Sequence, residues 1–117
     1  MSKYDPTLDS LFRALADPTR RAIVERLMRG PASVGELAQP FALSLPTLMT
    51  HLARLEEAGL IATRKDGRVR TCAVVPTALA PMQGWLDAQR ALWEGRLDRL
   101  DAYVTTLMKE RANDPEP

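Results

Sequence analysis

The sequence predicts a mainly α domain that carries a two-stranded β ribbon and ends in a long helix. Three observations point there. Two short segments with strong helix-starting signals, at Ser33 and Ser44, each lead into an apolar stripe. A basic hairpin signal, Asp66-Gly67 between two extended runs, follows at once. The last third of the chain carries an apolar seam with a 3.5-residue period, the pattern of one helix pairing with others.

Residues 7–16 form the first predicted helix, with Leu8, Leu11, Phe12 and Leu15 on one stripe. Asp17 then caps a second helix and Pro18 fits its first position. That helix runs to about residue 29, turns Ile23, Leu27 and Val24 inward, and stops at Gly30-Pro31. Arg20 and Arg21 fall on its first turn, where the helix dipole disfavours cations. Either a surface or intramolecular ion pair holds them, or an external acid or phosphate does.

Ser33 and Glu36 make a capping box, in which each side chain satisfies the other residue's free backbone N–H. The short helix they start is expected to stop at Pro40. Ser44 caps a fourth helix, Pro46 lies in its first turn, and Leu48, Leu52 and Leu55 form its buried face. Gly59 ends it as a residue able to take positive φ. Residues 60–65 and 68–75 read as strands, with Asp66-Gly67 as the two-residue turn. After a transition over residues 76–81, a long helix covers residues 82–111. Trp93, Leu97, Leu100, Val104 and Leu107 form its seam, and Trp85, Leu86 and Tyr103 widen it. So long a helix is not expected to pack wholly on a domain this small.

The 117 residues suffice for one domain with one core, expected over residues 1–112 and followed by a disordered tail at 113–117. Within it, residues 33–59 form a helix-turn-helix, 60–75 a wing and 82–111 a dimerisation helix. Charged residues make up 26% of the chain and the net charge is only +1, unlike a protein that coats nucleic acid indiscriminately. The distribution matters more. There are 11 lysines and arginines against 8 acids through residue 75, and 5 against 7 beyond. No secretory leader or stretch of ~20 apolar residues is visible, which predicts a cytoplasmic protein with no membrane partner. The lone Cys72 excludes an intrachain disulfide and a cysteine-rich zinc module.

A helix, a turn, a second helix and a cationic ribbon fit DNA: the helix enters a major groove while the ribbon meets phosphates or the minor groove. Half a turn from the leucine stripe lie Pro46, Thr47, Thr50 and Arg54. Ser44 and Thr47 are short enough to donate to phosphates at the helix N-terminus. Thr47 and Thr50 reach base edges or a thymine methyl, and Arg54 reaches phosphate or guanine. On the ribbon, Arg64, Lys65, Arg68 and Arg70 face a single acid, Asp66. Two readings of His51 are open: a packed, hydrogen-bonded residue beside the leucines, or a contact to the DNA backbone. Cys72 reads as a small apolar packing residue. Trp85, Trp93 and Tyr103 read as dimer-core aromatics, with the wall of a small-molecule effector pocket as the alternative.

With these elements in place, the chain resembles the ArsR family of winged helix-turn-helix regulators. The resemblance rests on Leu11-Phe12-Arg-Ala-Leu-Ala-Asp17-Pro18-Thr19-Arg20-Arg21 and on Ser44-x-Pro46-Thr47-x-x-x-His51-Leu52-x-x-Leu55-Glu56-x-x-Gly59-Leu60-Ile61. Their spacing to the Asp66-Gly67 hairpin also matches. The resemblance covers about residues 7–109 and implies a homodimer that binds an inverted-repeat operator, usually as a repressor. The dimer interface it implies uses the first and last helices: Leu8, Leu11, Phe12 and Leu15, then Trp85, Leu86, Trp93, Leu97, Leu100, Tyr103, Val104 and Leu107.

The chain departs from the family in places. Many members bind metal through Cys-x-Cys in the third helix, where this chain has Gly35-Glu36-Leu37-Ala38-Gln39. Another family site joins Asp and His on paired C-terminal helices; here Asp87, Asp98 and Asp101 have no histidine beside them. One thiol and one imidazole do not make a transition-metal site without several carboxylates, so no metal and no cofactor is expected. Met49 and Thr50 stand where many relatives carry Ser and a basic residue, leaving the base preference open. The expected function is sequence-specific binding of double-stranded DNA as a repressor. The alternative is a protein-interaction module on the same scaffold. An enzyme is not expected, because no nucleophile–base pair, carboxylate pair or phosphate loop is present.

Overall fold

A computed structural model of the chain describes residues 5–113. It divides into two compact units, Met1–Met82 and Gln83–Pro117. The first holds helices α1 (Pro6–Leu15), α2 (Pro18–Met28), α3 (Val34–Phe41) and α4 (Leu45–Glu57). It also holds strands β1 (Ala32–Ser33), β2 (Ile61–Asp66) and β3 (Val69–Val74). Helix α5 (Ala80–Asn113) begins there and supplies the second unit.

The helix starts follow from side chains that capture free backbone N–H groups. Asp5 accepts from Thr7 N at 3.0 Å and Leu8 N at 3.2 Å, so α1 begins one residue before the expected position, with Pro6 leading. Asp17 accepts from Arg20 N at 2.9 Å. The capping box is complete: Glu36 N donates to Ser33 Oγ at 3.1 Å and Ser33 N to Glu36 Oε1 at 3.3 Å.

Pro40 does not stop α3. It lacks one N–H, and with a single residue left in the helix only one intrahelical bond is forgone. The stop comes at Ala42, whose φ of 51° is left-handed and turns the chain toward α4. At the far end of α4, Gly59 has φ 78°. Leu60 N donates to Leu55 O at 3.0 Å and Gly59 N to Glu56 O at 2.9 Å, the paired bonds of a Schellman ending.

The sheet has three strands in the order β1-β3-β2, all antiparallel, rather than the expected two. The added strand is only Ala32–Ser33, paired with Cys72 and Thr71. Residues 60 and 75 lie outside the strands, though Val75 N still donates to Leu60 O at 2.9 Å. The turn is displaced by one residue. Asp66 pairs with Val69, so Gly67 and Arg68 are the loop. Gly67, at φ 62°, takes the positive-φ first position as in a type II′ turn.

One core serves the first unit. Leu11, Ile23, Leu27, Leu37, Leu48, Leu52, Leu55, Leu60, Ile61 and Cys72 are all almost completely shielded from solvent. Side chains of this size each contribute roughly 1.5–3 kcal/mol on burial. Leu11 corrects an expectation: at 1% exposure it is a core residue and presents nothing to a partner chain. Leu8 and Leu15 are half-buried, and Phe12 is 38% exposed.

Helix α5 buries none of its residues. It starts two residues earlier than expected, because Pro81 is tolerated in a first turn, and it continues through Asn113. The rest of the expected tail, residues 114–117, lies outside the described residues. Among the described residues no helix is long and apolar enough to cross a membrane.

Candidate nucleic-acid interface

Helix α4 presents two unlike faces. Leu48, Leu52 and Leu55 lie in the core, and the opposite side exposes Pro46, Thr47, Thr50 and Arg54. This is the division the leucine spacing predicts. Ser44 caps the helix, accepting from Thr47 N at 3.3 Å and donating to Thr47 Oγ1 at 2.8 Å. Thr50 Oγ1 donates to Pro46 O at 3.0 Å. Arg54 lies 3.5 Å from Glu57 in an ion pair exposed on both sides, too weak a pairing to hold the guanidinium. Leu45, at the first helical position, is 57% exposed; the leucine pattern offers no reason to single it out.

His51, for which two readings are open, lies inward of the exposed set. Its side chain is 17% exposed, and Nδ1 faces Asp17 Oδ2 at 3.9 Å. Nδ1 is buried and has no hydrogen-bond partner; 3.9 Å is an electrostatic contact rather than a hydrogen bond. The side chain is packed, without the hydrogen bond at Nδ1 that the packed reading expects, and it links α4 to the cap of α2. Asp17 serves both elements. Its carboxyl is held below the ordinary value of 3.8 chiefly by the Arg20 backbone N–H, with His51 and the Arg20 charge adding to the effect.

Arg20 and Arg21 have a partner that neither sequence reading named. Arg20 Nε donates to Ala14 O at 2.7 Å and its Nη2 to Arg13 O at 3.2 Å. Arg21 Nη1 donates to Leu15 O at 2.7 Å. Both cations thus bond the last carbonyls of α1, that of Arg13 shared with Ala16 N, and meet the negative end of its dipole. A positive first turn on α2 is the consequence of closing α1.

The hairpin exposes Arg64, Lys65, Arg68 and Arg70. Lys65 pairs across the ladder with Arg70 and Arg64 with Thr71, while Arg68 sits in the turn. Alternation along the second strand would put Arg68 and Arg70 on one face; with Arg68 in the turn, it is Lys65 and Arg70 that share a face. The ribbon is tied to α4 at its base, where Thr63 Oγ1 donates to Glu56 Oε1 at 3.0 Å. Cys72 is fully enclosed, and burial pushes its thiol above the ordinary 9.0, away from the reactive thiolate. Among the described residues no three His, Cys, Asp or Glu side chains converge on a point.

On one unit, then, a helix with an exposed N-terminal half lies beside a ribbon bearing four exposed cations. Known proteins are similar to this chain in sequence and in fold. Residues 15–64 match the family model described as a helix-turn-helix domain. The chain is 47% identical over 79 residues to the HTH-type transcriptional regulator Rv2034 of Mycobacterium tuberculosis, spanning 68% of this chain and 74% of the relative. It is 30% identical over 79 residues to the transcriptional repressor SdpR of Bacillus subtilis, spanning 68% and 88%. Among solved structures it is similar to the ArsR family transcriptional regulator RHA00566. That match has a TM-score of 0.75 and 51% identity, and covers 80% of this chain and 97% of the other. The chain belongs to the ArsR family of helix-turn-helix transcriptional regulators.

Proposed function

We propose that this regulator binds DNA sequence-specifically as a homodimer on an inverted-repeat operator and represses transcription by occluding a promoter. The observation that carries this reading is the pairing of α4 with the ribbon. Ser44, Pro46, Thr47, Thr50 and Arg54 are exposed on α4, and Arg64, Lys65, Arg68 and Arg70 on the hairpin beside it. The helix enters a major groove N-terminus first, and the ribbon neutralises flanking phosphates or enters the minor groove.

A second copy supplies the other half. Trp93, Leu97, Leu100, Val104 and Leu107 of α5 are all more than 40% exposed, an apolar seam that a helix keeps in water only when a partner covers it. Trp85, Leu86 and Tyr103 extend it, and Phe12, with Leu8 and Leu15, adds the α1 contribution. Two recognition helices related by a dyad then meet successive major grooves about 34 Å apart. In this reading residues 1–112 act as one DNA-binding domain in the cytoplasm, without the family's thiolate metal site. SdpR, named a transcriptional repressor, supports repression as the mode of action.

The test is recovery of DNA from a genomic fragment library by the purified protein at low salt. The expected result is enrichment of discrete fragments that contain an inverted repeat. Uniform recovery of fragments would refute the reading.

A further inference from the structure

The N-terminal half of α4 has an unusual chemical surface for a DNA-reading helix. From Leu45 through Ala53 it contains no Arg, Lys, Asn, Gln, Asp or Glu. Those are the side chains that tell guanine, adenine or cytosine apart most sharply in the major groove, whereas a Ser or Thr hydroxyl serves several bases alike. Its one imidazole, on His51, is turned toward Asp17. Two of the three hydroxyls donate within the helix, Ser44 to Thr47 Oγ1 and Thr50 to the Pro46 carbonyl, which leaves the Thr47 hydroxyl as the one whose proton the helix does not take. Beside the Thr47 hydroxyl, the exposed residues Leu45, Pro46, Thr47, Thr50 and Ala53 bring mostly hydrocarbon to this surface. Leu45 is the largest of these and stands at the end of the helix that approaches the bases first.

Resting on the DNA-binding reading above, we infer that this regulator reads its operator through thymine 5-methyl groups, with Leu45 as a specificity-determining residue. Each major groove it enters presents at least two thymines to the first two turns of α4. The thymine methyl is the one apolar feature on the major-groove edge of a base pair, so it is the feature this surface fits. Hydrogen-bonding capacity is concentrated elsewhere, in Arg54 and the ribbon cations, which suits phosphate contacts that carry no sequence information. A base without the methyl leaves this hydrocarbon unpacked, and discrimination against it follows.

The experiment uses the full chain. A duplex enriched from a random-sequence pool is remade with deoxyuridine in place of thymidine, which deletes only the 5-methyl group and leaves base pairing intact. Affinity is expected to fall about fourfold for each methyl that packs on the helix, the effect of exposing roughly one methylene-sized group. Two such methyls per half-site give a loss of about 16-fold for each half-site, roughly 250-fold over the two half-sites of the inverted repeat. Leu45→Ala, a substitution at an exposed position, is expected to bind the thymidine duplex more weakly and to narrow the thymidine-to-deoxyuridine ratio. Equal affinity for the two duplexes would overturn the inference while leaving operator binding intact. A deoxyuridine loss that Leu45→Ala does not narrow would overturn the role of Leu45. A pool that yields no enriched sequence would overturn operator binding itself, and this inference with it.

Discussion

Lys65 and Arg70 stand directly opposite each other across the β2–β3 ladder. They lie on the same face as Ile61 and Cys72, which are buried in the core. The face therefore changes along its length from hydrocarbon to a cross-strand pair of like charges, an arrangement that is unfavourable for the isolated hairpin. An anion between the two side chains removes the conflict, and a DNA phosphate is such an anion.

Replacing both with glutamine is expected to leave thermal stability unchanged or slightly raised. DNA binding is expected to weaken on every sequence. The double variant no longer neutralises the phosphate that the pair shares, so its log–log slope of affinity against salt is shallower by about 0.9 per protomer. Isotherms at four or five salt concentrations measure this directly, and an unchanged slope would remove these residues from the DNA interface.

The Asp17–His51 contact is expected to position α4. Asp17 is fixed by the Arg20 backbone N–H, and His51 lies within the recognition helix. His51→Ala should therefore weaken binding to an enriched operator several-fold more than binding to an unrelated duplex. Circular dichroism should show the helices retained. Equal weakening on both duplexes would mean that the contact has no part in reading sequence.

Two caps contribute to the acid sensitivity expected of the fold. Asp17 is held below 3.8 mainly by the Arg20 N–H, and Glu36 below 4.5 mainly by the Ser33 side chain. A carboxyl with a lowered folded-state value stabilises the fold above its unfolded value, and that contribution is lost as pH falls through the folded value. Stability is thus expected to hold down to about pH 4.5 and to decline below pH 3.8 as these two groups protonate. In Glu36→Gln the acid-induced decline between pH 6 and 3 should be shallower, as read from thermal midpoints. A decline as steep as in the parent protein would show that the Glu36 cap contributes nothing to it.

The α5 seam is expected to hold two copies together. Leu97→Glu combined with Val104→Glu places charges in its centre, and sedimentation is expected to show a dimer for the parent protein and monomers for the variant. Operator affinity should fall by more than tenfold, since each half-site is then held alone. A variant that remains dimeric would assign the interface elsewhere.

Local signals carried much of this fold. The capping box at Ser33 and Glu36, the cap at Ser44, the leucine stripe of α4 and the ending at Gly59 each involve residues within a turn or two of one another. Contacts between elements left no such trace. Strand β1 is two residues long, too short for alternation to show, and exists because Cys72 and Thr71 offer it a ladder. The hairpin turn moved by one residue because Gly67 takes the first turn position, which exchanged the partners of the ribbon cations. Arg20 and Arg21 close α1 through carbonyls six and seven residues away, bonds made by geometry rather than by side-chain type. His51 was ambiguous in sequence because the Asp17 it faces lies on another element.

The central claim is that α4 and its ribbon read a DNA sequence. The most direct measurement is competition, near physiological salt, between an enriched duplex and a scrambled duplex of the same base composition. Preference for the enriched duplex by about a thousandfold or more is expected, the range of specific DNA binders. Equal competition by the two duplexes would contradict the claim.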